Sequence, residues 1–482
     1  MSDSIVPNLF PTVSSDYRLA IVGEAPGNYE AQAGLPFVGP SGNLLNGALQ
    51  AMGIMRSACF IGNVCQHQPP YNDIEQYDKS GPEIQQGLQI LKSDLNKFQP
   101  NCILLLGATA LWAAGSFHKV NTYRGTIFHS DTLRSKCVAT YHPAYILRMW
   151  DDAPLFEFDV RRAVEESYFK DLRLPQRTID TKLTVSEILS KLRAIQPGTL
   201  VSIDIEGGVP NESANLVERK NRNGITCISV STDPSYAFVI PLQDLSDENA
   251  AVVMKEFARV MADYTIPKVL QNSLYDYTAL AWVWKLPINN IAHDTMLSGW
   301  EIFPELSKGL GVQASIWTKE PYYKFERTAG AELPEAERKQ IHYNYNGKDA
   351  AVTLEICQNH QKAFTPTQRD HYNFNVKLLR PLQYMSLRGI RYDKEGSDRR
   401  REELLSTQYA YQTACNTFAG TEINLNSPKQ MTELLYRKLG MEPQYKIEKG
   451  RKTNKLTADA DALLTLIVKD DRADSERKRD NA

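Results

Sequence analysis

The sequence predicts an α/β fold in two successive domains, followed by a mostly helical segment. Two observations carry this expectation. From residue 18 to about residue 365, short apolar runs alternate with stretches that are apolar at helical spacing, as when sheets are buried between helices. The chain has 482 residues, too many for one ordinary core, so it must divide.

Each element follows in order. RLAIVG (18–23) reads as a buried strand opening into the Gly/Pro loop EAPG. SGNLLNGALQAMG (41–53) reads as a helix with Leu44, Leu45, Ala48, Leu49 and Met52 on one face. CFIGNV, CILLLG and KCVATY are further short apolar runs, each followed by a loop or helix. This alternation favours a parallel sheet with functional loops at its strand ends. DLRLPQRTIDTK (171–182) is polar, contains a proline and reads as a linker. TVSEILSKLRAIQPG is then a helix stopped by Pro-Gly, and LVSIDIE a strand. ITCISVSTDPSYAFVIPL is a hairpin about Asp233-Pro234-Ser235. DENAAVVMKEFARVMAD is an amphipathic helix, KVLQN a strand and SLYDYTALAWVW another helix. From about residue 376 the chain reads as mostly helical and ends in the charged tail DDRADSERKRDNA, expected to be disordered. The expected domains are 1–170, 183–372 and 373–482, with 171–182 as linker.

Composition narrows the class. Hydrophobic content of 42% and charged content of 23% are those of a soluble globular protein. The net charge of -2 excludes global basicity as a means of holding nucleic acid, so any such contact must use local basic patches and bound metal. Seven scattered cysteines without CxxC spacing point to reduced thiols and a cytoplasmic setting. The N-terminus lacks the basic and apolar regions of a signal peptide, and no apolar run reaches membrane-spanning length.

Three acidic clusters stand out between residues 200 and 350: Asp204 and Glu206 in VSIDIEGG, Asn272 and Asp276 in VLQNSLYD, and Tyr345 and Asp349 in YNYNGKDAAVT. Residues two apart on a strand face the same way, so Asp204 and Glu206 can serve one site. Asp276 follows a strand and Asp349 lies on a later helix. Four acids from separate segments suit a pair of divalent cations, which take oxygen ligands and together cleave phosphodiester bonds. Tyr345 lies one helical turn before Asp349, where its phenol would orient an attacking water.

This stretch resembles the 3′–5′ proofreading exonuclease of family A DNA polymerases. DIE matches the first motif of that family, NSLYD the second and YNGKD the third, over about 190–365. The resemblance implies a ribonuclease-H-like fold, two Mg2+ or Mn2+ ions on Asp204, Glu206, Asp276 and Asp349, and binding of single-stranded 3′ ends, with Asn272 among the DNA contacts. His293-Asp294-Thr295 matches a further recurring segment. Asp294 could support the metal ligands or cap a helix.

The other dense segment is IVGEAPGNYEAQAGLPFVGPSGNLL. A Gly/Pro loop there presents Glu24 and backbone amides at a strand end. Phe37 offers an aromatic face for a flipped base, Asn63 (in IGNVCQHQPP) an amide for a pyrimidine edge, and His142 (in ATYHPAYILR) lies on a later loop. Together these resemble the uracil-DNA glycosylase superfamily, most closely its family 4, over roughly 17–165. The resemblance implies a three-layer α/β/α domain and uracil-containing DNA as partner. Glu24 would lie in the water-activating region, Phe37 would stack on uracil, Asn63 would read its edge and His142 would stabilise charge on uracil O2. Tyr145, Ile146 and Leu147 follow His-Pro where the family inserts a wedge into the duplex, and Arg148 would contact phosphate. Family 4 enzymes carry an iron–sulfur cluster on four cysteines. Here only Cys65 falls at a matching place, so no cluster is expected. The domain would excise uracil, or act as an inactive module that senses uracil or docks a replisome protein.

LLRPLQYMSLRGIRYD resembles the segment joining exonuclease to polymerase in family A enzymes, and NLNSPKQMTELLYRKLG the start of the thumb. Ser427 would be the N-cap and Pro428 the first turn of a helix. Lys446, Lys449, Arg451, Lys452 and Lys455 form a basic run, either contacting duplex phosphates or lying in solvent. No palm or fingers sequence follows residue 460, so the chain is not expected to polymerise nucleotides alone. A truncation, a split-gene product and one subunit beside a palm-and-fingers chain all stay open. The order of domains also resembles polymerases of some large bacteriophages, which would place the protein in a host bacterial cytoplasm.

Overall fold

The computed structural model describes residues 5–116, 118–207, 224–327, 332–448 and 451–467. Its first sheet holds β1 (Leu19–Gly23), β2 (Phe60–Asn63), β3 (Cys102–Leu106), β4 (Ile127–Ser130) and β5 (Ser135–Thr140), in the order β2-β1-β3-β5-β4. β1 runs parallel to β2 and β3, and β3 parallel to β5, while β4 closes one edge antiparallel to β5. The strands are apolar throughout because both faces are covered. Leu19, Ile21 and Leu104 pack on α1 (Pro40–Ala51) and α3 (Ala153–Ser167). Ala20, Val22, Ile103 and Leu105 point the other way, onto α2 (Pro82–Phe98). The result is the expected three-layer α/β/α domain.

The second sheet holds β6 (Thr178–Asp180), β7 (Val201–Gly207), β8 (Ile225–Asp233), β9 (Tyr236–Ile240), β10 (Lys268–Leu270) and β11 (Ile291–Asp294), in the order β11-β10-β7-β8-β9-β6. β7, β8 and β9 form an antiparallel meander, and β10 and β11 extend it in parallel. One face buries Ile203, Ile205, Val230 and Phe238 against α4 (Val185–Ala194), α5 (Asp247–Ala262) and α6 (Ser273–Trp284). α4 begins with a reciprocal cap between Thr184 and Glu187. After α7 (Thr295–Ile302) and α8 (Leu310–Trp317), the long α9 (Glu335–Ala363) covers the opposite face. Gly347 allows this close approach, since a Cβ there would stand 2.2 Å from Ile179 Cγ2.

Two expectations need correction. The linker does not reach residue 182: Thr178–Asp180 is the edge strand β6, parallel to β9. Just before it, the Arg177 guanidinium is buried between Glu320 (2.7 Å) and Glu355. Polarity there reflects a buried ion-pair network rather than a free connection. Secondly, the break between compact units falls at 388/389, not 372/373. α10 (Pro366–Arg388) belongs with the exonuclease-like fold, because the Tyr372 hydroxyl accepts from the Asp294 N–H (2.8 Å) and Gln383 donates to the Tyr277 carbonyl.

The last unit carries the expected helices. It opens with α11 (Lys394–Ala419), and Ser427 caps the next helix with Pro428 in its first turn, as expected. The basic run lies on an antiparallel hairpin of β12 (Tyr445–Glu448) and β13 (Arg451–Leu456). Arg451 and Lys452 pair in register with Glu448 and Ile447, whereas Lys449 and the charged tail lie outside the described residues. Among the described residues no helix is long and apolar enough to cross a membrane.

Candidate active sites

The acid site is built on β7, the strand next to β10 and β8. Ile203 and Ile205 anchor it in the core, so Asp204 and Glu206 project from the other face. α9 brings Asp349 to the same place. Asp204, Glu206 and Asp349 each offer a carboxylate oxygen within 4.8 Å of the others. Asn346, one turn before Asp349 and fully buried, ties helix to strand. Its side-chain amide donates to Asp204 Oδ2 (2.6 Å), and its backbone carbonyl accepts from Ser229 Oγ (2.8 Å).

Asp276 sits in the first turn of α6, 4% exposed. The corner before it is made by Asn272 in the left-handed region (φ 61°), a conformation that asparagine tolerates. Asp294 resolves to a cap: it accepts from the N–H groups of Met296 (2.8 Å) and Leu297 at the start of α7. It also accepts from the N–H of Ser273 (2.7 Å), and so clamps the corner that presents Asp276.

Burial, with the charges of Asp349, Asp276 and Glu206, pushes the Asp204 carboxyl well above the usual range. Burial, with Asp294 and Glu206, does the same to Asp276. A site that penalises ionised carboxylates this strongly is suited to cations. The donors are all oxygen, the set that hard divalent ions take and that soft metals do not select. Two residues absent from the sequence reading complete the site. The Tyr323 hydroxyl donates to Asp349 Oδ1 (2.6 Å), and the Lys324 ammonium spans both Asp349 oxygens (2.7 and 2.6 Å) and the Tyr345 hydroxyl (2.9 Å).

The second site lies where β1, β2, β3 and β5 end, the usual place for ligands in an open parallel sheet. Gly23 forms its floor. A Cβ there would lie 2.4 Å from Phe37 Cζ and 2.6 Å from Asn63 Oδ1, so the ring and the amide converge over the bare backbone. Phe37 holds φ 53°, a strained value for an aromatic residue. Asn63 is 3% exposed and its Oδ1 has no partner among the described residues, a costly state for a buried amide unless a ligand supplies one. Glu24 accepts from the Thr109 hydroxyl (2.5 Å), and burial raises its pKa. His142 follows β5. Its Nδ1 accepts from the Ala144 N–H (3.2 Å), and burial together with the Arg148 charge lowers its pKa to about 4. The imidazole is therefore neutral, with its proton on Nε2.

The three residues after His-Pro separate. Ile146 is buried, and Tyr145 stacks on Tyr141 (4.8 Å) and donates to Asp152 (2.7 Å). Leu147 alone of the three is well exposed (47%), next to exposed Arg148. Glu30, which the sequence reading missed, stitches the two Gly-rich loops by accepting from the N–H groups of Gly27, Val38 and Gly39. Cys65 is buried and its thiol faces the His67 carbonyl. Among the described residues, the acidic trio is the one grouping of three or more metal-ligating side chains.

Fold and sites together define an enzyme with two DNA-processing domains in one chain. Residues 10–172 match the uracil DNA glycosylase superfamily and residues 176–364 match a 3′-5′ exonuclease family. The chain is 36% identical over 137 residues to a type-4 uracil-DNA glycosylase of Thermotoga maritima, covering 28% of this chain and 68% of that protein. It is 31% identical over 148 residues to one of Archaeoglobus fulgidus, covering 29% and 72%. It is also 28% identical over 259 residues to a DNA polymerase I of Synechocystis, covering 50% of this chain but only 24% of that protein. The chain thus belongs, through its N-terminal domain, to the uracil-DNA glycosylase superfamily, with a 3′–5′ exonuclease domain of the family A polymerase type fused behind it.

Proposed function

We propose that this chain removes nucleotides from DNA 3′ ends in a reaction that depends on divalent metal, and excises uracil at a separate, metal-independent site. The convergence of Asp204, Glu206 and Asp349 oxygens within 4.8 Å, with buried Asp276 beside them, carries the first part. These four acids would hold two Mg2+ or Mn2+ ions. Bound there, the ions supply an activated water and neutralise charge on the leaving oxygen. The Tyr345 hydroxyl orients the water, and Asn272 lies at the corner where the 3′ end enters. Arg451 and Lys452 supply phosphate contacts, and the activity corrects 3′ ends made by a polymerase.

At the second site the flipped uracil stacks on Phe37, and the Asn63 amide takes the pyrimidine edge. As the glycosidic bond breaks, its electron pair leaves with uracil, and His142 Nε2–H donates to the charge on O2. Glu24 aligns the water that adds to the sugar carbon. Leu147 fills the gap in the duplex, and Arg148 meets phosphate.

The exonuclease part is tested with a 3′-labelled oligonucleotide in magnesium. Asp204→Ala with Glu206→Ala should abolish label release, and normal digestion by that variant would refute the assignment. The glycosylase part is tested in chelator with a uracil oligonucleotide and alkaline cleavage of abasic sites. No cleavage with protein in excess over DNA would refute excision, and tight uracil-DNA binding without cleavage would make the domain a sensor.

A further inference from the structure

We infer that Lys324 is a positioning residue of the exonuclease reaction, and that the glycosylase-like domain holds the segment that presents it. The inference rests on the exonuclease reading of the acid site. Lys324 lies outside the three acidic motifs, at the start of a short 3-10 turn (Lys324–Arg327) between α8 and α9. Yet its ammonium is 2.7 and 2.6 Å from the two Asp349 oxygens and 2.9 Å from the Tyr345 hydroxyl, with its side chain only 19% exposed. It also stands 4.6 Å from the centre of the Tyr345 ring.

Hydrogen-bond chemistry gives this contact a direction. An ammonium group only donates. The Tyr345 oxygen therefore accepts from Lys324, and its own O–H turns to another acceptor. The lysine thus sets which way the phenol proton points. It also fixes the rotamer of Asp349 from one side, while the Tyr323 hydroxyl holds it from another.

The stretch that carries Lys324 is gripped along its length. Arg162 donates to the Thr318 carbonyl (2.7 Å), and Lys319 pairs with buried Glu166 (2.8 Å). Arg177 holds Glu320 (2.7 Å), and the Tyr322 N–H reaches Thr126 Oγ1 (3.3 Å). Arg162, Glu166 and Thr126 all belong to the glycosylase-like domain. A lysine held only by solvent would lose rotamer entropy in making three contacts. Here the backbone is fixed beforehand, as a positioning group requires.

The test measures steady-state exonuclease kinetics of the full chain on a labelled single-stranded oligonucleotide in magnesium. Lys324→Met, which keeps the stem and removes the charge, should lower kcat at least ~10-fold and leave KM within about 2-fold. Lys324→Arg should restore most of the rate. Tyr345→Phe should add little loss on top of Lys324→Met, because the two act as a unit. A Lys324→Met kcat within about 2-fold of the unaltered chain would overturn the inference, leaving the lysine as a charge-balancing neighbour of Asp349. Multiplicative losses in the double variant would overturn it too. If Lys324→Met fails to fold, Tyr345→Phe and Lys324→Arg decide, and full activity of Tyr345→Phe refutes the inference. An unaltered chain inactive in both magnesium and manganese would overturn the exonuclease reading and this inference with it. Activity of the unaltered chain separates the two failures.

Discussion

Replacing Asp204 by asparagine should make the metal-free protein more stable. The change keeps the shape of the side chain and leaves an oxygen to accept from Asn346. It removes one charge from a cluster whose ligand oxygens lie within 4.8 Å of each other. At that distance two unit charges repel by about 3.5 kcal/mol in an effective dielectric of ~20. Relief of two such pairs is worth on the order of 7 kcal/mol before offsetting losses. The gain is smaller, because the attraction of Lys324 is lost as well. A net gain of about 1–3 kcal/mol remains, which for a domain of this size raises Tm by roughly 2–12 °C. The assay is a calorimetric melt at pH 8 in EDTA. Millimolar magnesium should close the gap by stabilising only the unaltered chain. A variant that melts at or below the unaltered chain in EDTA would refute the reasoning and make Asp204 a structural acceptor.

Three further outcomes follow from the same kind of argument. Asn63→Ala should abolish uracil excision yet change stability by less than about 1 kcal/mol, since the lost Oδ1 has no partner among the described residues; a loss of several kcal/mol in urea would make the amide structural. Buried His293 and His360 share the Ser298 hydroxyl (3.0 and 2.6 Å), and burial holds both near pKa 3. Their folded values lie below the unfolded one, so their contribution is complete above about pH 6.5 and is lost as pH falls toward 3, by up to ~1.4 kcal/mol per unit for each. Urea midpoints between pH 7 and 5 should show this slope, and His360→Gln should reduce it; identical slopes would contradict the assignment. Glu166 is buried between Lys136 (2.8 Å) and Lys319 (2.8 Å), so Glu166→Gln should cost about 3–5 kcal/mol, read as a lower urea midpoint; an unchanged midpoint would count against it.

Much of this was legible in the chain itself, for identifiable reasons. Asp204 and Glu206 obey the two-residue period of a strand, and Tyr345 and Asp349 the turn of a helix, so local geometry placed each pair. The strands LAIVG and CILLL were readable because both faces are buried. Lys324, Tyr323 and Glu30 were not readable. Glu30 lies on a short helix (Asn28–Ala33), and Tyr323 and Lys324 lie at the start of a single 3-10 turn, so no long periodic pattern marks them, and their contacts are set by partners far along the chain or in another loop. Arg177 and β6 were hidden for a related reason: a buried ion-pair network has the composition of a linker. The hairpin at Tyr445–Leu456 was obscured by its charge, although Tyr445 and Ile447 alternate with polar neighbours as strand residues do.

The central claim is that Asp204, Glu206, Asp276 and Asp349 form one cation site that serves 3′-end cleavage. Counting bound Mn2+ by paramagnetic resonance, in parallel with release of a 3′ label, tests it most directly. The account predicts two ions per chain and metal-dependent release, with both lost in Asp204→Ala/Glu206→Ala. Undiminished Mn2+ binding in that variant, or label release by the unaltered chain in excess EDTA, would contradict it.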